Sequence, residues 1–276
     1  MCTRLAGAGV VAGVVVGVGV VAACGTNQTP PEMPAPTLPD CVPDRDGQIT
    51  ADELPIALGA TIDYYAGANR TVDLVDHGGV WNLGDERPDD DVVALGPVAL
   101  GAQWYAASFA GSQFAVDAGS GLDGIYHQDA TALWLDGTAS HDDAAAASRT
   151  LIHYATPIAV LRFPIRDGDA FSSLGSLGEG TLVAGLPFLG TDKVDVDVTG
   201  SGQLDVPYVQ FSPVLRVRTN VTRTPSTGTP VVSRRTTLFM FECFGEVARA
   251  ESQPDEANAD FTTAAYLRRF ALGVQP

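Results

Sequence analysis

The chain has 276 residues, 45% of them hydrophobic, and sets 33 acidic residues against 16 Lys and Arg for a formal charge of −17. That length and apolar content suffice for a large core, and all-β domains reach this size as single units. The acidity excludes nucleic acid as a partner, because phosphate binding needs clustered Lys and Arg. It equally excludes attachment to anionic lipid by surface charge, and it favours solubility and the binding of cations.

Residues 1–23 carry one charge, Arg4, followed by the apolar run Leu5 to Ala23. A short positive region, an apolar stretch and small residues before a cleavage point form the layout of a secretory signal. The run closes on Val21-Ala22-Ala23-Cys24, after which the chain turns polar. This stretch resembles the lipobox of bacterial lipoproteins. The resemblance implies cleavage before Cys24 and lipidation of Cys24, with several acyl chains. Each buried methylene contributes about 0.8 kcal/mol, and more than one chain makes a stable anchor. In that family an Asp after the cysteine holds the protein at the inner membrane. Gly25 stands there here, so the resemblance implies the outer membrane, with the periplasmic or outer face left open. An uncleaved anchor and a signal cut elsewhere are the alternatives.

Residues 24–40 hold five of the 18 prolines, which rules out helix and sheet interior. An extended tether at about 3.1 Å per residue would hold a domain roughly 50 Å from a bilayer. Of the four cysteines, Cys2 lies in the signal and Cys24 takes lipid. Cys41 and Cys243 remain, an even pair that an oxidising compartment would join. Two free thiols or a redox pair are the alternatives. A disulfide closing a loop of about 200 residues contributes on the order of 5 kcal/mol on the chain-entropy model.

The segment 41–55 contains "DRDGQITADEL", Asp44 to Leu54. It resembles the loop of an EF-hand or a dockerin repeat. Asp44 falls at the third loop place, Asp46 at the fifth, Gly47 at the sixth, Gln48 at the seventh through its carbonyl, Ile49 at the apolar eighth and Glu53 at the closing twelfth. The resemblance implies a Ca2+ site with Asp44, Asp46, Gln48 and Glu53 as ligands. The departures are plain: Val42 stands at the first ligand place, "TLPDCVP" replaces the leading helix, Pro55 limits the trailing one, and no second loop is visible. A metal-free reading competes, in which Thr50 and Glu53 form a capping box around an Asp46-Gly47 turn.

The remainder, 56–276, reads as strands. Alternation in "ATIDYYAG", "TVDLVDH", "AQWYAASF", "SQFAVDAG", "GIYHQDATALWLDG" and "IAVLRFPI" predicts short strands bounded by Gly, Pro or Asp. Val194, Val196 and Val198 share one face of a later strand. Leu215, Val217, Thr219 and Val221 share one face of the next, with Arg216 and Arg218 opposite. "PSTGTP", Pro225 to Pro230, turns this strand into another and predicts a long hairpin. Ser140 to Ala155 reads as a capped turn or two of helix running into a strand, and Asn258 to Leu272 as helix or strand. The architecture expected is mainly β: a large, curved antiparallel sheet, sandwich or open barrel, with few short helices.

Catalytic motifs are not found: no Gly-x-Ser-x-Gly, no His-Glu-x-x-His, no phosphate loop, no Cys-x-x-Cys. His141-Asp142-Asp143 and the acidic Asp85 to Asp91 read as solvated turns, Arg234-Arg235 and Arg268-Arg269 as exposed faces, and Trp81, Trp104 and Trp134 as core. The reading is a non-catalytic cell-envelope lipoprotein with a structural or binding role, held at the membrane by its lipid. A calcium-dependent adhesion or scaffold module, a carrier of apolar ligands and a hydrolase that brings His127 or His153 to a carboxylate and a hydroxyl are the rivals.

Overall fold

A computed structural model describes residues 40–119, 121–142 and 149–273. The signal, the Cys24 lipobox and the tether up to residue 39 lie outside them, as does the proposed helix at 143–148. In chain order the strands are β1 (Gln48–Ile49), β2 (Ile62–Thr71), β3 (Val80–Asn82), β4 (Asp91–Leu95), β5 (Val98–Ala99), β6 (Phe114–Gly119), β7 (Leu122–Gln128), β8 (Ala132–Ser140) and β9 (Leu151–Arg162). They continue with β10 (Ile165–Arg166), β11 (Ala170–Ser176), β12 (Leu182–Val183), β13 (Leu186–Pro187), β14 (Gly190–Val206), β15 (Val209–Pro225), β16 (Val232–Phe241), β17 (Gly245–Ser252) and β18 (Thr263–Phe270). The mainly β expectation holds. Among the described residues helix is confined to two 3-10 turns, Leu100–Ala102 and Ala106–Ser108.

A nine-stranded sheet runs β11-β14-β15-β16-β17-β18-β2-β4, with β3 parallel to β14; it is curled like an open half-barrel. A seven-stranded sheet, β13-β12-β9-β8-β7-β6-β5, is antiparallel throughout. The chain crosses between the two at Gly96, where a Cβ would fall 1.9 Å from the Ala60 carbonyl oxygen.

Alternation decides the layers. Val194, Val196 and Val198 of β14, with Leu215 and Val217 of β15, bury against Ile152, Tyr154, Ile158 and Leu161 of β9. Val214 and Phe239 at intervening positions, and Leu204 beyond the bulge between Val198 and Ser201, face the opposite way, under Leu74, Trp81 and Phe261. A third cluster, Tyr105, Phe109 and Ile125, covers the outside of the smaller sheet. Thus "TVDLVDH" is strand only at its first residue, and then becomes an irregular strap whose Val72 and Leu74 seal the large sheet. "AQWYAASF" is not a strand either; its 3-10 turns seal the smaller sheet.

Farther along the inter-sheet space the packing is ionic. Glu246 pairs with Arg249 at 2.8 Å and with Arg268, Arg249 reaches Glu251 at 3.3 Å, and Tyr64 donates to the Glu246 carbonyl at 2.7 Å. Burial alone would raise the Glu246 carboxyl, but Arg249 and Arg268 hold it below its ordinary range. Arg268 and Arg269 are therefore interior residues, 4% and 1% exposed, not an exposed face. Asp90 in the acidic segment is likewise buried, paired with Arg70 at 2.7 Å and with Arg269. Terminal residues 258–272 resolve into strand β18.

Removing the Glu246 charge leaves two guanidinium groups uncompensated. Glu246→Gln is expected to cost about 3–5 kcal/mol in urea unfolding. Because the native carboxyl is depressed, its contribution is present above the unfolded carboxylate range and is lost as pH falls through the native pKa. The wild-type and Glu246→Gln stabilities should therefore converge in acid.

A candidate cation site at the stapled end

Cys41 and Cys243 are disulfide-bonded across a separation of 202 residues. The bond fixes the start of the domain to the turn between β16 and β17. The Cys243 N–H donates to the Glu53 carbonyl at 2.8 Å, so the loop is held at both ends.

Within it, local chemistry shapes the chain. Asp44 Oδ1 accepts from Asp46 N–H at 2.9 Å, and Asp46 Oδ1 from Gln48 N–H at 2.8 Å, two consecutive Asx turns. Gly47 takes φ 85° for the sharp bend. Ile49 is buried and pairs through β1 with Ile165 of β10, while Leu54 joins the same core. Glu53 Oε2 accepts from Thr50 N–H at 2.9 Å and Thr50 Oγ1 at 2.8 Å, the glutamate half of the expected capping box, while the Glu53 N–H goes to the Thr50 carbonyl at 3.2 Å. The helix after it is a turn only.

The loop reading lacks an oxygen at its first place, because Val42 points a hydrocarbon into solvent. Glu242, next in sequence to the bonded Cys243, brings a further carboxylate to the loop. Glu242 Oε2 accepts from Arg45 N–H at 2.8 Å, and Asp44, Glu53 and Glu242 each offer an oxygen within 4.8 Å of the others. Burial raises the Glu242 carboxyl above its ordinary range; the Arg45 N–H opposes this, and the charges of Glu53, Asp44 and Asp46 add to the rise. Among the described residues no Lys, Arg or His forms an ion pair with these four acids. Gln48 lies at the rim, its Nε2 on Asp46 and its Oε1 receiving Arg166 Nε.

A hard cation needs six or more oxygens at about 2.4 Å. Three convergent carboxylates, Asp46, loop carbonyls and water meet that need in kind. The set contains no nitrogen or sulfur, which suits calcium better than zinc or copper. Sequence reasoning missed Glu242, yet the expected disulfide contained it by adjacency.

The histidines are placed differently. His127 Nδ1 lies 2.8 Å from Asp136, and Ser112 Oγ donates to that carboxylate at 2.6 Å. The hydroxyl thus meets the acid and not the imidazole, so no nucleophile–base pair is formed. His141 sits 3.2 Å from Asp123 and 3.4 Å from Asp117, with Tyr105 donating to Asp123 at 2.7 Å. His153 packs against Phe109 with ring centroids 5.6 Å apart. Trp81 is core, while Trp104 and Trp134 are part-exposed over the smaller sheet. No family model, curated protein or solved structure matches this chain.

Severing the staple should both loosen the domain and release Glu242. Cys41→Ser with Cys243→Ser is expected to lose about 2–5 kcal/mol in denaturant unfolding, and the Arg45 amide should exchange faster with deuterium.

Proposed function

We propose that this chain is a lipid-anchored envelope protein without catalytic activity, whose β domain binds calcium at the end where the tether enters. The observation that carries the calcium reading is Glu242. It brings a third carboxylate to Asp44 and Glu53 without a basic partner, in a loop whose first ligand place is Val42. Gathering like charges costs stability, and a divalent ion would offset that cost. The role is structural or adhesive: the ion would join residues 44–53 to residue 242, closing the domain around its point of attachment.

The anchoring reading rests on Val21-Ala22-Ala23-Cys24 and the proline-rich segment after it. Gly25 favours the outer membrane by the family's sorting habit. A carrier of apolar molecules is less well supported, because aliphatic side chains and the Glu246–Arg249–Arg268 network occupy the space between the sheets.

Thermal unfolding with 1 mM-scale calcium and with chelator tests the site, since a ligand at about 100 times its Kd adds about 2.7 kcal/mol. Calcium should raise Tm, and Glu53→Gln and Glu242→Gln should each abolish the rise. The two variants differ without calcium. A carboxyl raised in the native state costs stability once pH passes its unfolded pKa, in full above its native one, so Glu242→Gln should melt higher than wild type at neutral pH in chelator. An unchanged wild-type Tm with calcium would leave the loop a capped turn. Separately, Cys24→Ala should move the protein from the membrane fraction to the soluble one and abolish fatty-acid labelling.

A further inference from the structure

A second concavity lies at the same end of the large sheet, beside the tip of the β14–β15 hairpin. Tyr65 of β2 and Arg269 of β18 are cross-strand neighbours and form its floor. The loop Glu86-Arg87-Pro88 makes one wall, and the hairpin tip Pro207-Tyr208 between β14 and β15 makes the other. The space is about 210 Å3, the size of a compact metabolite.

Three features set it apart from ordinary surface. Tyr208 has φ 66°. Pro followed by a positive φ is the order of a type II turn, whose second position calls for Gly or Asn. A bulky residue there is a conformational outlier, and at 68% exposure the ring gains little from the core. Glu86, beside its hydroxyl, raises the phenol above its ordinary range. Arg269 is 1% exposed and holds the Leu83 and Asp85 carbonyls and Asp90, yet its Nε has no partner. Arg87 holds the Thr71 carbonyl through Nη2, and its Nη1 is likewise buried without a partner. Both arginines line the cleft, and each carries a buried donor that still calls for an acceptor.

The charges restrict what can answer. Glu86 repels a simple anion. A simple amine would leave the guanidinium groups unanswered. Two proline rings and two tyrosine rings offer an apolar, π-rich wall suited to an ammonium and a small side chain. We propose that this cleft binds a free α-amino acid, with its carboxylate on Arg87 and Arg269 and its ammonium between Glu86 and the rings of Tyr65 and Tyr208. This binding is independent of the cation site.

The full chain in detergent, with chelator present, would be titrated calorimetrically with each of the twenty amino acids. At least one should bind saturably. Its N-acetyl and amide derivatives should each bind about tenfold more weakly or worse, because each leaves a buried charge or donor unanswered. Tyr208→Gly relieves the positive φ, so the variant should keep its Tm while losing affinity about tenfold. Arg87→Gln should lose affinity in the same way. No saturable binding by any of the twenty would overturn the proposal. So would equal binding of the blocked derivatives, or unchanged binding by both variants.

Discussion

A sheet that carries apolar side chains on both faces must be covered twice. In β14, β15 and β16 this constraint is set residue by residue: Val217 and Met240 face one way, Val214 and Phe239 the other. The smaller sheet covers the inner face. The outer face is covered by the irregular chain 72–79, the short strand β3 and residue 261. Irregular chain buried against a sheet brings carbonyl groups with no ladder to satisfy them. Arginines on the sheet do so instead: Arg216 donates to the Leu74 and Thr199 carbonyls, and Arg269 to those of Leu83 and Asp85. Guanidinium suits this task because it offers five donors in a fixed plane. The near-absence of lysine, with Lys193 alone, agrees with a structure that uses its cations as interior donors.

The same constraint separates what the sequence made legible from what it hid. Alternation located the Val194–Val198 face and the β15–β16 hairpin, since a half-buried strand writes its burial in period two. It misassigned Val72 and Leu74, because alternation records that one side is buried and not that a neighbour pairs with the backbone. It hid the roles of Asp90, Arg268 and Arg269 for a different reason. A charged residue reads as exposed unless its partner is known, and Arg269 lies 179 residues from Asp90.

The stapled end shows both cases within a dozen residues. The Asx turns, the Gly47 bend, the Ile49 plug and the Thr50–Glu53 contact are local and were readable. Glu242 is 197 residues from Arg45 and has no local signature. It became reachable only through the Cys41–Cys243 pairing, which converts a sequence separation into adjacency. Glu53 accepts from Thr50 while presenting an oxygen toward Asp44 and Glu242. A carboxylate has lone pairs enough for both.

Cooperation between the two ends of the chain follows from this geometry. Residue 242 lies in the short turn that joins β16 to β17, and Glu246 on β17 begins the inter-sheet ionic network four residues later. Any force on the chain entering at Cys41 passes through the disulfide to that turn, and from there into the two central strands of the large sheet. A load applied to a sheet edge can peel strands one at a time. Applied here, it meets β16 and β17, each paired on both sides, so their hydrogen bonds must fail together. An ion bridging Asp44, Glu53 and Glu242 would act in parallel with the disulfide, across the same gap.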